Sequence, residues 1–142
     1  MEKIIEGSIG LLMDLIRTQS FSKEEDKTAQ IIDTYLQNHG VKTHRELNNV
    51  WAFNKYFDSS KPTILLNSHH DTVHPNRDYT RDPFNAEIID GKLFGLGSND
   101  AGGCLVSLIG TFLNYYDKQD LKYNFVIAAT AEEEISGLHG LE

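Results

Sequence analysis

Three short clusters in this 142-residue chain bring together side chains able to coordinate a divalent cation and to move a proton: Ser68-His69-His70-Asp71, Gly97-Ser98-Asn99-Asp100 and Glu132-Glu133-Glu134. Imidazole and carboxylate are ligands that hydrolytic zinc or cobalt sites use, and two metals about 3.5–4 Å apart commonly share a bridging carboxylate. His69 and Asp71 fall on one face of an extended segment. Asp71 is therefore placed to accept the second imidazole N–H and fix the tautomer of His69. Asp100 lies between Gly97 and Gly102-Gly103, where the backbone can approach closely and one carboxylate stays free to reach two cations. Glu133 and Glu134 are adjacent and, in extended backbone, point opposite ways, so one would ligate metal and the other handle protons.

Each cluster also has a plainer reading. A histidine near an aspartate is common on surfaces, and an acidic triplet suits the first turn of a helix. Gly95-Leu96-Gly97-Ser98 has the look of a phosphate loop, but no lysine follows and Asp100 would repel an anion. The weight lies in the conjunction, with two clusters ending apolar strands and the third opening a helix. Among the remaining histidines, His70 points away from His69 and is not expected to ligate. His39 reads as a helix C-terminal residue, His44 as the exposed face of a strand and His139 as a loop residue. His74, beside Pro75, lies near the site and is a candidate for substrate contact.

The elements that must position these groups follow from periodicity. Ile5, Ile9, Leu12 and Ile16 recur at helical spacing and predict a first helix ending near Arg17. Ser22 and Glu25 have the form of a capping box, and Ala29, Ile32 and Leu36 continue a second helix to Gly40. Residues 41–47 and 50–57 read as strands joined at Asn48-Asn49. The apolar run Thr63 to Asn67 is a buried strand ending in the first cluster. Residues 77–83 are loop, and Asp90-Gly91 turns a second hairpin. Cys104 to Tyr116 is a helix, with Cys104 as core filler. Phe125 to Ala129 is a second buried strand, ending in the acidic triplet. The predicted fold class is α/β, a mixed central sheet with helices on both faces and functional groups at the C-terminal strand ends.

Composition bounds the function. With 21 acidic and 13 basic residues the formal charge is -8, which argues against nucleic acid or an anionic membrane as partner. Hydrophobic residues at 39% and charged residues at 24% suit a chain that folds around a core. No apolar run approaches a membrane span, and Met1 to Gly10 lacks the pattern of an export signal, so a cytoplasmic location is expected.

Read together and in order, Ser68-His69-His70-Asp71-Thr72-Val73, the segment Gly95 to Gly103 and Thr130-Ala131-Glu132-Glu133-Glu134 resemble the three N-terminal motifs of the zinc-dependent aminoacylase and carboxypeptidase family. That family includes acetylornithine deacetylase, succinyl-diaminopimelate desuccinylase and glutamate carboxypeptidases. The resemblance implies two divalent ions, zinc or cobalt, with His69 on one, Glu134 on the other and Asp100 bridging both. It implies Asp71 as the support of His69, Glu133 as general base and a cis peptide at Asp100-Ala101. Glu132 stands where many members carry aspartate.

It further implies that residues 1–142 are the N-terminal part of the catalytic domain, whose sheet is incomplete in this chain. One more ligand for each metal, the inserted lid and dimerisation domain and the rest of the catalytic domain would lie beyond. The 142-residue piece alone would bind metal weakly and be inactive, and its exposed sheet would favour association; the full-length protein would be a homodimer. The motif wording is closest to acetylornithine deacetylase. A small N-acyl amino acid such as N-acetylornithine, N-acetylcitrulline or a succinyl equivalent is the expected substrate, in arginine biosynthesis. The alternatives are a dipeptidase or carboxypeptidase of the same family, or a non-catalytic truncated relative.

Overall fold

The two apolar runs that end in polar clusters lie side by side. In the computed structural model, which describes residues 2–140, β3 (Thr63–His69) and β6 (Asn124–Thr130) pair in parallel from Thr63–Asn124 to His69–Thr130. Both strands therefore deliver their following residues to the same edge of the sheet, the C-terminal edge where ligands gather in α/β folds. Met1, Leu141 and Glu142 lie outside the described residues.

β1 (Thr43–Glu46) and β2 (Asn49–Phe53) form an antiparallel hairpin, and β2 pairs antiparallel with β6, giving a mixed sheet of order β1-β2-β6-β3. The turn falls at Leu47-Asn48, one residue earlier than expected, because Glu46 pairs with Asn49 and Leu47 takes the left-handed conformation. Both strands are shorter than the periodicity suggests. A separate hairpin, β4 (Glu87–Ile89) and β5 (Lys92–Phe94), turns at Asp90-Gly91 as predicted, both residues having positive φ. Residues 77–83 contain no helix or strand.

Three helices, α1 (Glu2–Arg17), α2 (Asp26–Asn38) and α3 (Gly103–Tyr115), share one core with the sheet. Phe112, Leu105 and Ile109 of α3, Ile32 and Leu36 of α2, Val50 of β2 and Ile127 of β6 are fully buried in it. The mixed α/β architecture matches expectation, but the layering is one-sided among the described residues. The alternate positions of each strand, Trp51 and Phe53 in β2 and Val126 in β6, face away from the helices, and Leu65 of β3 is 50% exposed. A hollow on this bare face is bordered by Trp51, Val126, Ala128, Leu138 and Gly140. No helix among the described residues is long and apolar enough to cross a membrane.

Three local expectations are corrected. In α1 the buried stripe is Ser8, Leu11, Leu12, Leu15 and Ile16, leaving Ile5 and Ile9 exposed. Ser8 faces Gly110 of α3, where an added Cβ would lie 2.9 Å from the Ser8 hydroxyl oxygen, so the two helices approach closely here. Cys104 is exposed rather than core, since it shares the solvent face of α3 with Ser107 and Thr111 while Leu105 and Ile109 face inward. The capping box does not form: Glu25 precedes α2 without a side-chain cap, and Ser22 is engaged elsewhere.

Candidate metal centre

His69 is the last residue of β3 and 7% exposed. Its Nδ1 lies 3.1 Å from the Asp71 carbonyl oxygen and 3.2 Å from Asp71 Oδ1, so Asp71 stands where sequence spacing places it. Nε2 faces outward, 3.2 Å from Asp100 Oδ1 and 3.6 Å from Glu133 Oε2. One donor atom each from His69, Asp100 and Glu134 lie within 4.8 Å of one another. The three expected ligand residues are thus brought together from segments 31 and 34 positions apart in sequence.

Asp100 reaches this point from an irregular turn, Ser98–Gly102, that runs into α3, and the Asp100-Ala101 peptide is cis as expected. The surrounding glycines are required by close approach. A Cβ on Gly97, whose φ is 73°, would sit 2.7 Å from Thr72 Cγ2, and one on Gly102 would sit 2.7 Å from the Gly97 carbonyl oxygen. The Asp100 side chain itself is 78% exposed. It borders an open cleft lined also by Thr72, Val73, Tyr79, Leu96 and Glu134.

Glu133 and Glu134 do not diverge as extended backbone would make them. β6 ends at Thr130, Glu132 turns left-handed at φ 57°, and Glu133–Ile135 forms a single 3-10 turn. In a helical turn successive side chains are separated by roughly 100–120°, so both can lean toward His69. The turn is held from behind. Asp71, wholly buried, accepts the Glu133 N–H at Oδ1 (3.2 Å), the Glu134 N–H at Oδ2 (3.1 Å) and the Ser22 hydroxyl at Oδ2 (2.7 Å).

Electrostatics follow from this crowding. The hydrogen bond that His69 donates to the Asp71 carboxylate raises its pKa to about 9, against the opposing effect of burial and with the Glu133 and Asp100 charges adding to the rise. Burial pushes Asp71 upward, but its bonds from His69, Ser22 and the two amides outweigh that and hold it down at about 2. Burial and the neighbouring Asp100 charge raise Glu134. Without a cation the site concentrates negative charge around one imidazole, the situation a divalent ion relieves.

The other histidines fall largely where expected. His70 turns inward, with Nδ1 2.9 Å from Thr28 Oγ1 and Nε2 2.9 Å from the Asn48 carbonyl oxygen. His39 Nδ1 meets the Tyr35 carbonyl oxygen at the end of α2, His44 stacks on Trp51, and His139 is exposed in the final segment. His74 packs against Phe21, the rings tilted by 42° with 3.9 Å between centroids. Ser22, Glu25, Thr28 and Asn48 are the structural participants that sequence reading did not assign to the site. The only signal was the misread cap at Ser22 and Glu25.

Comparison with known proteins bears on family and fold. Succinyl-diaminopimelate desuccinylase of Blochmanniella floridana is 30% identical over 147 aligned positions, covering 96% of this chain but 38% of the relative. The same-named protein of Rickettsia felis is 30% identical over 142 positions, covering 93% of this chain and 37% of its own length. This chain thus spans less than two fifths of the length of these relatives. Among solved structures, an M20 family metallo-carboxypeptidase of Sulfolobus solfataricus superposes with TM-score 0.75 at 25% identity, over 90% of this chain and 31% of that one. A Bacillus subtilis protein described as a dinuclear metal binding peptidase of the M20 family gives TM-score 0.71 at 19% identity, over 99% of this chain and 38% of its own, a likeness of fold. The family model described as Peptidase family M20/M25/M40 matches residues 65–142, which contain all three clusters, and the chain belongs to that family.

Proposed function

We propose that the chain supplies the N-terminal part of the catalytic domain of a metal-dependent hydrolase acting on the amide bond of an N-acyl amino acid. The observation that carries this reading is the convergence of His69, Asp100 and Glu134 within 4.8 Å. One imidazole, neutral once it ligates, and two carboxylates form a donor set suited to zinc. Asp71 holds His69 through Nδ1, so that with a cation in place Nε2, on the side of Asp100 and Glu133, would give up its proton and be free to ligate. Asp100, most exposed and backed by glycines, is the residue proposed to bridge two ions. A bound divalent cation would polarise the substrate carbonyl and lower the pKa of water.

Glu133 is the proposed general base. Its carboxylate reaches the same side of His69 as the ligands without belonging to the convergent trio. It takes a proton from the attacking water as the new carbon–oxygen bond forms. It returns that proton to the amine nitrogen as the carbon–nitrogen bond breaks, so acid and amine leave with all atoms accounted for.

Motif wording favours N-acetylornithine and a place in arginine biosynthesis, whereas the names of the curated relatives favour an N-succinyl amino acid. The remaining metal ligands, a lid and a homodimer contact are proposed to lie in the portion that longer relatives possess. The similarity to a metallo-carboxypeptidase keeps peptide cleavage as a second reading. Amine release from N-acetylornithine, N-acetylcitrulline, N-succinyl-diaminopimelate and a dipeptide by a protein of family length carrying this sequence is the test. Cleavage of an acyl amino acid, reduced about 10²–10⁴-fold by Glu133→Gln, is expected. Cleavage of the dipeptide alone would move the reading to a peptidase, and full activity in Glu133→Gln would remove the proposed base.

A further inference from the structure

Glu25 is a completely buried carboxylate outside the candidate metal centre, and among the described residues no lysine, arginine or histidine forms an ion pair with it. Burying such a group is costly unless hydrogen bonds replace its water. Both oxygens are so engaged. Oε1 accepts the Lys23 N–H at 2.7 Å and the Glu132 N–H at 3.2 Å, and Oε2 accepts the Asn48 side-chain N–H at 2.8 Å. The Glu132 bond joins residues 107 positions apart in sequence.

Glu25 and Asp71 together account for three successive amides. Glu25 takes that of Glu132, and Asp71 takes those of Glu133 and Glu134. The backbone of the acidic turn is thus clamped from behind by two buried carboxylates while the Glu133 and Glu134 side chains lie on the cleft side. Glu132 occupies left-handed φ/ψ, a conformation that side chains rarely adopt without local support. The clamp also ties to the first cluster. His70 Nε2 faces the carbonyl oxygen of Asn48, which can only accept, so that nitrogen carries the proton and anchors the residue whose side chain grips Glu25.

We propose that Glu25 is a positioning residue: it fixes the Glu132–Glu134 turn so that Glu133 and Glu134 are held in register with His69. The inference rests on the reading of Glu134 as ligand and Glu133 as base, but its structural half is testable without either. Glu25→Leu removes all three acceptor bonds at similar volume. Glu25→Gln keeps one oxygen for the two backbone N–H groups, and its amide can be met by Asn48 turning its own side chain.

The experiment follows backbone amide exchange by NMR in the metal-free 142-residue chain, together with zinc affinity by calorimetry in a protein of family length carrying this sequence. In Glu25→Leu the amides of Glu132 to Glu134 should exchange about tenfold faster or more, while those of Ala128 to Thr130 in β6 keep their protection. Zinc affinity should fall by about 10–100-fold. Glu25→Gln should restore most of both. If Glu25→Leu does not fold, Asn48→Ala is the substitute, with the same pattern at smaller amplitude expected. Acceleration spread evenly over β6 and the turn, unchanged turn amides in a folded variant, or no recovery in Glu25→Gln would overturn the proposal. Failure of the wild-type family-length protein to bind zinc would count against the ligand reading, leaving the exchange pattern to judge Glu25 by itself.

Discussion

Behind the His69 ring, Asp71 is wholly buried and takes bonds from Ser22, Glu133 and Glu134, whereas in front of it the Asp100 and Glu133 side chains stand 78% and 60% exposed. The rear is a closed hydrogen-bonded assembly built entirely within this chain. The front gathers several carboxylates around one imidazole, whose pKa they help to raise. The difference teaches that the fold pre-arranges the ligands' backbone and leaves more carboxylate charge than one imidazole can balance at an open face, which suits a divalent cation.

Substitution can break that contrast from the rear first. Asp71→Ala leaves the Ser22 hydroxyl and two amides without their acceptor and takes the carboxylate from His69 Nδ1, which keeps only the backbone carbonyl of residue 71, and should cost about 3–5 kcal/mol in urea unfolding of the metal-free chain. A loss below about 1 kcal/mol would mean that the rear is not the rigid half. Gly97→Ala probes the junction between the halves. Its φ of 73° and the 2.7 Å approach to Thr72 Cγ2 predict a loss of about 1–2 kcal/mol by the same measurement. Asp100→Asn, at the front, should change unfolding by no more than about 0.5 kcal/mol. A loss as large as that of Asp71→Ala would erase the distinction.

Much of the site was legible because its determinants are local. Apolar runs ending in polar residues mark β3 and β6, and the Asp90-Gly91 pair marks its own hairpin. The spacing of His69 and Asp71 survives because β3 stays extended up to His69. What stayed hidden depends on contacts between distant segments. Ser22 looks like a helix cap in sequence, yet its hydroxyl is bonded to Asp71, 49 positions away. Glu25 looks like its partner in that cap and instead holds Glu132. The divergence expected of Glu133 and Glu134 fails because the chain turns left-handed at Glu132, a conformation these bonds support and no propensity announces. Ile5, Ile9 and Cys104 were misplaced for a related reason. An apolar stripe on a helix identifies candidate core positions, but the neighbouring helix decides which of two stripes is covered.

The central claim is that His69, Asp100 and Glu134 together receive a divalent cation, and it is tested most directly by calorimetric titration of zinc into the wild-type chain and into His69→Ala, Asp100→Asn and Glu134→Gln. The account predicts zinc binding by the wild type that each substitution weakens by about tenfold or more, with far-UV circular dichroism unchanged. Equal zinc affinity in the wild type and all three variants would contradict it.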